Sequence, residues 1–480
     1  MLGTVFALAW PTMLEQLTQT AVQYIDTAMV GALGTQATAA VGATGTVNWM
    51  IGSVVSAVGV GFLAFIAQRM GAGKPQEARK ASGQACFMTL VLGLALTALT
   101  VLAARQVPVW MRVDPAIRDL AGEYFLIIYT PMLFRTASIL FGTVLRAAGD
   151  TRTPMRIGLA VNGINMVLNF LLIFPARTLT VAGADIPLPG AGMGVQGAAL
   201  ASAISFVYGG LAMTRALWKH PAVSPKGQSL RPDPAVLAPC FRVAVPNLAQ
   251  RFATSFGYVV FASMINALGE VSTAAHTIAN TVESAFYIPG WGMQTAAATL
   301  SGNAWGARDH DRLKRLGSTV LVLEVGLMIL SGGLLFLLAE PLVRLFSRDA
   351  EVIRLGTRVL RMVAVSEPFY GGPIVVEGLR QGVGKTKAPF VYQVIGMWCV
   401  RIAGTFICTR LLGLGLVAAW GCMIGHNLLL FVFFTWHYAT GRWDPFPRTS
   451  SATDSLTGIL AETADPDQAR EERLKEKYGN

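Results

Sequence analysis

Charge is scarce in this sequence. Asp, Glu, Lys and Arg together make up 14% of its 480 residues, where a soluble chain carries about a quarter. That shortage excludes a soluble globular domain. Cysteine is almost missing: Cys86, Cys240, Cys399, Cys408 and Cys422 are all there is. None has the spacing of a metal site or a disulfide framework, so they read as small apolar side chains. The G-x-x-x-x-G-K-[ST] phosphate loop is absent, which argues against ATP hydrolysis by this chain. No nucleophile–base pair or metal constellation stands out in the polar segments. An enzyme is therefore not expected, nor is a cofactor.

What is present is hydrocarbon. The composition is 53% hydrophobic and the mean hydropathy is +0.52. A bilayer core of about 30 Å needs about 20 apolar residues per helix. Twelve stretches meet this: 3–31, 39–68, 81–105, 118–144, 155–175, 196–218, 238–268, 272–303, 316–339, 353–379, 388–411 and 415–438. The first is expected to be a span and not a cleavable signal peptide, since no small-residue cleavage pattern follows a basic region. Glycine is abundant, at 50 residues, as suits helices packed closely in lipid.

The sequence repeats at a shift of 235 residues. Met29-Val30-Gly31-Ala32-Leu33-Gly34 falls on Met264-Ile265-Asn266-Ala267-Leu268-Gly269. Gly71 falls on Gly306, Asp114 on Asp349, Gly149 on Gly384, and Pro154 on Pro389. The spacing predicts an all-α polytopic membrane protein, with twelve transmembrane helices in two pseudo-symmetric six-helix lobes. Six is even, so the halves run parallel about an axis along the membrane normal. The expected division is an N-lobe over 1–218, a cytoplasmic linker over 219–237, a C-lobe over 238–440 and a disordered cytoplasmic tail over 441–480. Within the tail, 467–475 could form a short solvated helix. Before the sixth span, 190–194 is expected to be an outer loop.

The formal net charge of +11 does not point to nucleic acid. Every lysine lies in an even-numbered loop or in the tail. The positive-inside rule then makes the even loops and both termini cytoplasmic, in a plasma (inner) membrane.

Ionisable groups inside spans are costly and are functional candidates by default. Asp26 sits about five residues from the outer end of the first span, hence ~8 Å deep. Asn162, Asn165 and Asn169, spaced i, i+3, i+7, share one face of the fifth span. Asn169 and, on the sixth span, Ser202 reach a similar depth of ~8–9 Å. These hard oxygens suit Na⁺ or a carboxyl that exchanges a proton. The alternative is that the amides only knit helices together. In the second half the repeat partner of Asp26 is Phe261, and that of Asn48 is Glu283. Glu283, Arg251 and Asn48 are candidate cavity residues; alternatively Glu283 is paired with Arg251 or Arg401. Arg135 and Glu324 have no obvious partner in sequence. Glu15 and Glu367 are further candidates of lower weight. Glu377 and Arg380, one turn apart, read as a structural pair. Trp49, Met50, Trp291 and Met293 could soften a promiscuous cavity, or simply pack.

Several segments carry a resemblance: Leu8-Ala9-Trp10-Pro11, Asp26-Thr27-Ala28-Met29-Val30-Gly31-Ala32-Leu33-Gly34, the run over 145–154 with its echo over 379–389, and Gly197-Ala198-Ala199-Leu200-Ala201-Ser202. On these the sequence resembles the multidrug and toxic compound extrusion (MATE) family over about residues 3–440. The resemblance implies export of small amphipathic or cationic drugs by antiport with Na⁺ or H⁺, and a monomer in the lipid bilayer is expected. It places the family's coupling positions at Asp26, Asn165, Asn169 and Ser202, with a main-chain oxygen at Ala198. Many members carry Asp where this chain has Asn169, so one formal negative charge is expected here instead of two. The rival reading is a flippase for a lipid-linked oligosaccharide or another lipid, served by Arg135, Arg251 and Arg401.

Overall fold

Hydrocarbon offers backbone N–H and C=O groups no partner, so a chain this apolar must satisfy them within helices. The computed structural model describes residues 2–110, 113–181, 184–441 and 443–446. Its first half runs α1 (Leu2–Gly31), α2 (Thr35–Gly71), α3 (Pro75–Ala103), α4 (Arg118–Tyr129), α5 (Met132–Ala147), α6 (Arg152–Leu172) and α7 (Gly194–Lys219). The second half runs α8 (Pro234–Asn266), α9 (Glu270–Phe286), α10 (Ile288–Gly306), α11 (His310–Phe346), α12 (Ala350–Gly382), α13 (Lys387–Ile395) and α14 (Leu416–Ala439).

Two of the twelve expected spans are broken. α4 and α5 meet at 48° around Pro131, which has no N–H to continue the ladder. α9 and α10 are interrupted at Tyr287, just before Pro289. α13 continues to Leu411 through two widened turns, Gly396–Ile402 and Ile407–Leu411. There α14 presses close: a Cβ on Gly396 would lie 2.3 Å from His426. With each broken pair taken as one rod, the described residues form twelve rods. Eight helices, or nine with the bent pair, are by themselves long and apolar enough to cross a membrane.

The residues that repeat turn out to be helix-end signals. Asp114 accepts from Ala116 N at 2.8 Å, and Asp349 accepts from Glu351 N at 2.8 Å and Val352 N at 3.0 Å. Both are N-caps that satisfy orphan donors. Gly149 (φ +90°) and Gly384 (φ +80°) take the left-handed conformation that lets a chain leave a helix sharply.

One segment departs from expectation. The stretch before the sixth span is not only a loop: Pro175–Val181 pairs antiparallel with Ala184–Ala191 as a two-stranded hairpin. α8 starts at Pro234, four residues before 238, because Asp233 caps it through Ala235 N at 2.8 Å. Asp233 also pairs with Lys80, and that contact, with the cap, holds its carboxyl below the usual range. Gln84 of α3 bonds Arg231 O at 2.8 Å and accepts from Asp233 N at 3.0 Å, which ties the connecting segment to the first half. The expected tail and its helix over 467–475 fall outside the described residues.

The halves meet along a glycine seam at their basic ends. A Cβ on Gly306 would lie 1.8 Å from Gln68 O, and one on Gly71 would lie 2.0 Å from Asn303 O. Each contact is the repeat image of the other at the 235-residue shift. α2 and α10 therefore cross backbone to backbone on the pseudo-symmetry axis. Gln68 Nε2 adds a bond to Gly382 O at 2.8 Å. The start of α1 also belongs to this junction, since Val5 and Ala9 share a core with Met293, Leu300 and Val375.

Gly306→Ala should pry this seam open. The variant should melt at a lower temperature in detergent than the wild type, because the new methyl must displace the Gln68 backbone. Unchanged melting would show that the seam is not tight.

Candidate functional site

The first-half polar cluster depends on close helix approach. A Cβ on Gly197 would sit 2.5 Å from Leu172 O, and one on Gly209 would lie 2.9 Å from Val161 Cγ2. Without side chains at these points α7 lies against α6, as small residues allow in membranes. Ser202 of α7 is thereby brought to Asn165 of α6. α1 packs along α6 as well and supplies Asp26.

The geometry is a chain of short polar contacts. Asn169 Nδ2 donates to Asp26 Oδ1 at 2.5 Å. Asn165 lies between Asp26, Asn169 and Ser202, and its amide can be placed two ways. In one, Oδ1 accepts from Asn169 Nδ2 at 3.1 Å and Nδ2 donates to Ser202 Oγ at 3.2 Å. Turned over, Nδ2 donates to Asp26 Oδ1 at 3.2 Å and Oδ2 at 3.0 Å, and Oδ1 accepts from Ser202 Oγ at 3.2 Å. The second orientation serves the carboxylate better, because an ionised Asp26 can only accept.

Asn165 and Asn169 are buried, while Asp26 and Ser202 are half-buried. Asn169 Oδ1 is buried and accepts no hydrogen bond among the described residues. An orphan carboxamide oxygen beside a carboxylate and a hydroxyl is a donor set that fits a hard cation. Asn162 is half-buried on the same helix and joins none of these bonds. Ala198 is buried one turn before Ser202, against Val30, Ala37 and Ile173. Its carbonyl belongs to an unbroken helix.

The second candidate set is not brought together. Asn48 Oδ1 accepts from Arg135 Nη1 at 2.5 Å, so Arg135 does have a partner, and it also stacks on Phe206 at 4.9 Å. Arg251 Nε donates to Asn247 Oδ1 at 2.9 Å. Glu283 pairs with neither Arg251 nor Arg401: it accepts from Tyr287 Oη, one turn along its own rod. Arg401 instead lies over the rings of Phe261 and Tyr258, at 4.4 and 4.7 Å. The expected Glu377–Arg380 pair does not form either. Gln250, Gln381 and Gln393 all donate to Glu377, while Arg380 donates to Lys385 O and contacts His437. A one-turn spacing put both groups on one face, but the neighbouring helices supplied better partners.

Glu15 forms an ion pair with Arg146 at 2.6 Å between α1 and α5. Tyr24 of α1, not singled out from the sequence, donates to Thr281 O at 3.0 Å and so links the two halves near Asp26's end. Trp49, Met50 and Trp291 are exposed, while Met293 is buried.

Comparison with known proteins gives a consistent result. The MatE family model matches residues 11–171 and 246–407. A relative named probable multidrug resistance protein NorM, from Thermotoga maritima, is 27% identical, with 91% of this chain and 92% of that protein covered. The probable multidrug resistance protein YoeA of Bacillus subtilis is 24% identical over 85% and 87%. A MATE family transporter solved in an outward-facing conformation has the same fold, with a TM-score of 0.83 at 22% identity and 91% and 95% covered. A transporter of Pyrococcus furiosus, whose reversed pocket polarity was taken to suggest a different function, aligns with a TM-score of 0.82 at 23% identity, covering 93% and 96%.

A charge-assisted hydrogen bond is worth about 1.5–3 kcal/mol. Asn169→Ala should therefore lower the melting temperature in detergent more than Asp26→Asn, which keeps an acceptor for the Asn169 amide. Wild-type melting of Asn169→Ala would mean that the Asp26–Asn169 bond contributes nothing to stability.

Proposed function

This chain belongs to the MATE family of membrane transporters, and on that premise we propose that it is a secondary active multidrug efflux transporter. It exchanges small amphipathic or cationic compounds for H⁺ or Na⁺ across the inner membrane. The supporting observation is the contact between Asp26, Asn165, Asn169 and Ser202 on three packed helices. One formal charge among neutral oxygens can take up a cation and release it without stranding a second buried charge.

In this reading the two lobes, 1–218 and 238–440, rock about the seam between α2 and α10. Arrival of the ion at Asp26 changes the packing of α1, α6 and α7, and the drug leaves. Only a difference in ion affinity between the two conformations can drive the cycle. Asn162 and Ala198 stand one turn away from this group on α6 and α7, and Glu283, Arg251 and Asn48 belong to the wider cavity wall. The basic loops and both termini face the cytoplasm. The protein acts as a monomer.

The flippase reading needs free cationic groups for a phosphate headgroup. Arg135 is taken up by Asn48 and Phe206, Arg251 by Asn247, and Arg401 by two aromatic rings. These contacts weigh against it.

Dye efflux from sealed vesicles, with a Na⁺ gradient and a pH gradient imposed separately, tests the proposal. The wild type should respond to one gradient, and Asp26→Asn should lose the response while remaining folded and inserted. Gradient-driven efflux at the wild-type rate in Asp26→Asn would refute the coupling role.

A further inference from the structure

Two of the five cysteines, unremarkable in the sequence, meet in the folded chain. The Cys422 thiol of α14 donates to Cys408 Sγ, with the sulfurs 3.8 Å apart across 14 residues of sequence. Both thiols are free and half-buried. They stand on the last two rods, on either side of the short turn over 412–415.

The backbone around them favours this contact. Gly404 lies one turn before Cys408, and a Cβ there would stand 3.1 Å from Cys422 Sγ and 3.5 Å from its Cβ. A methyl at this point would crowd the Cys422 thiol. Cys408 itself belongs to the widened turn Ile407–Leu411, where Leu412 N bonds Ile407 O at 3.0 Å, five residues back. Single widened turns of this kind occur frequently at functional sites. Leu414 N then bonds Cys408 O at 2.8 Å and folds the turn back onto the end of the rod. Beside Cys422, Met423 Sδ accepts from Arg401 Nη2 at 2.9 Å. Sulfur thus joins the two rods at two levels.

Two adjacent thiols can bind a soft metal or oxidise. A zinc site takes three or four protein ligands, and no third His, Cys, Asp or Glu completes such a group among the described residues. Oxidation needs only the pair. A disulfide is about 2.05 Å long, so each sulfur has to move by roughly 1 Å. The other cysteines are placed differently. Cys86 and Cys240 belong to the buried core of the first half. Cys399 is exposed and lies nine residues before Cys408, roughly 14 Å along the rod.

We propose that Cys408 and Cys422 are a redox-active dithiol that closes to a disulfide and staples the last two spans together. Two S–H bonds break and one S–S bond forms. The two electrons and two protons pass to a lipid-soluble quinone or diazene, which becomes the quinol or the hydrazine. The bond closes a loop across 14 residues, removes chain entropy from the unfolded state and fixes the widened turn against α14. Its formation rests on the contact of the sulfurs. Its persistence in the cell rests on the topology proposed above, which puts the 412–415 turn on the non-cytoplasmic side, where disulfides survive.

Thiol counting tests the pair. The full chain in lipid vesicles, carrying Cys399→Ala to remove the exposed thiol, is treated with diamide, a membrane-permeant diazene. It is then denatured and alkylated with N-ethylmaleimide, and the intact mass gives the thiols left. Four are present beforehand, the five of the sequence less Cys399. Two should be lost together, and fragment masses should show Cys408 linked to Cys422. Retention of all four overturns the dithiol, and so does a link to Cys86 or Cys240. Cys408→Ser and Cys422→Ser should each lose no thiol under the same treatment; loss as in the parent chain overturns the pairing. The oxidised chain should melt at a higher temperature in detergent than the reduced one, and equal melting overturns the staple. Labelling of Leu412→Cys in whole cells by a membrane-impermeant maleimide decides the topology separately. Absence of that labelling overturns persistence in the cell without touching the thiol count.

Discussion

A charge in hydrocarbon must be neutralised where it stands, and this requirement organises the molecule. The first half meets it by pairing. Asp26 has amide donors, Arg135 has Asn48 and the Phe206 ring, and Glu15 has Arg146. The second half meets it differently. Glu377 is surrounded by three glutamines and Arg401 by aromatic rings, while Glu324 and Glu367 have no hydrogen-bond partner among the described residues. Two halves with one shape thus hold their buried charge by different chemistry.

The same lack of water shapes the packing. Between apolar helices in lipid, attraction comes from close contact and not from expelling water. Glycine is what permits such contact, and it is placed accordingly. Gly71 and Gly306 let α2 and α10 touch along the pseudo-symmetry axis, and Gly197 and Gly209 bring α7 onto α6. The first pair joins the halves; the second assembles the polar cluster. Near Asp26's end of α1 the Tyr24–Thr281 bond also joins the halves.

Much of the fold was legible because the membrane limits the choices. Apolar runs of span length can only be helices, and the twelve expected stretches fall within a few residues of the observed rods. The repeat was legible because its anchors are backbone requirements: Asp114 and Asp349 cap helices, while Gly149 and Gly384 end them with positive φ. The hairpin of Pro175–Val181 with Ala184–Ala191 was missed, because the alternation of Thr178-Leu179-Thr180-Val181 is short and Pro187 and Pro189 interrupt its partner. Within the candidate site, the i, i+3, i+7 spacing put Asn162, Asn165 and Asn169 on one face. It could not say that Asn162 stands apart from the hydrogen-bonded group.

The sequence by itself determined the medium, the number of helical rods, and the residues whose charge or polarity had to be accounted for. Those follow from composition and period, which are local properties. Tertiary structure alone decided the partners. Glu283 bonds Tyr287 and not an arginine, Glu377 bonds glutamines and not Arg380, and Asp26 meets Asn169 across 143 residues of chain. Partner choice depends on where helices cross and how close they come, and glycines distant in sequence from the charged groups set both.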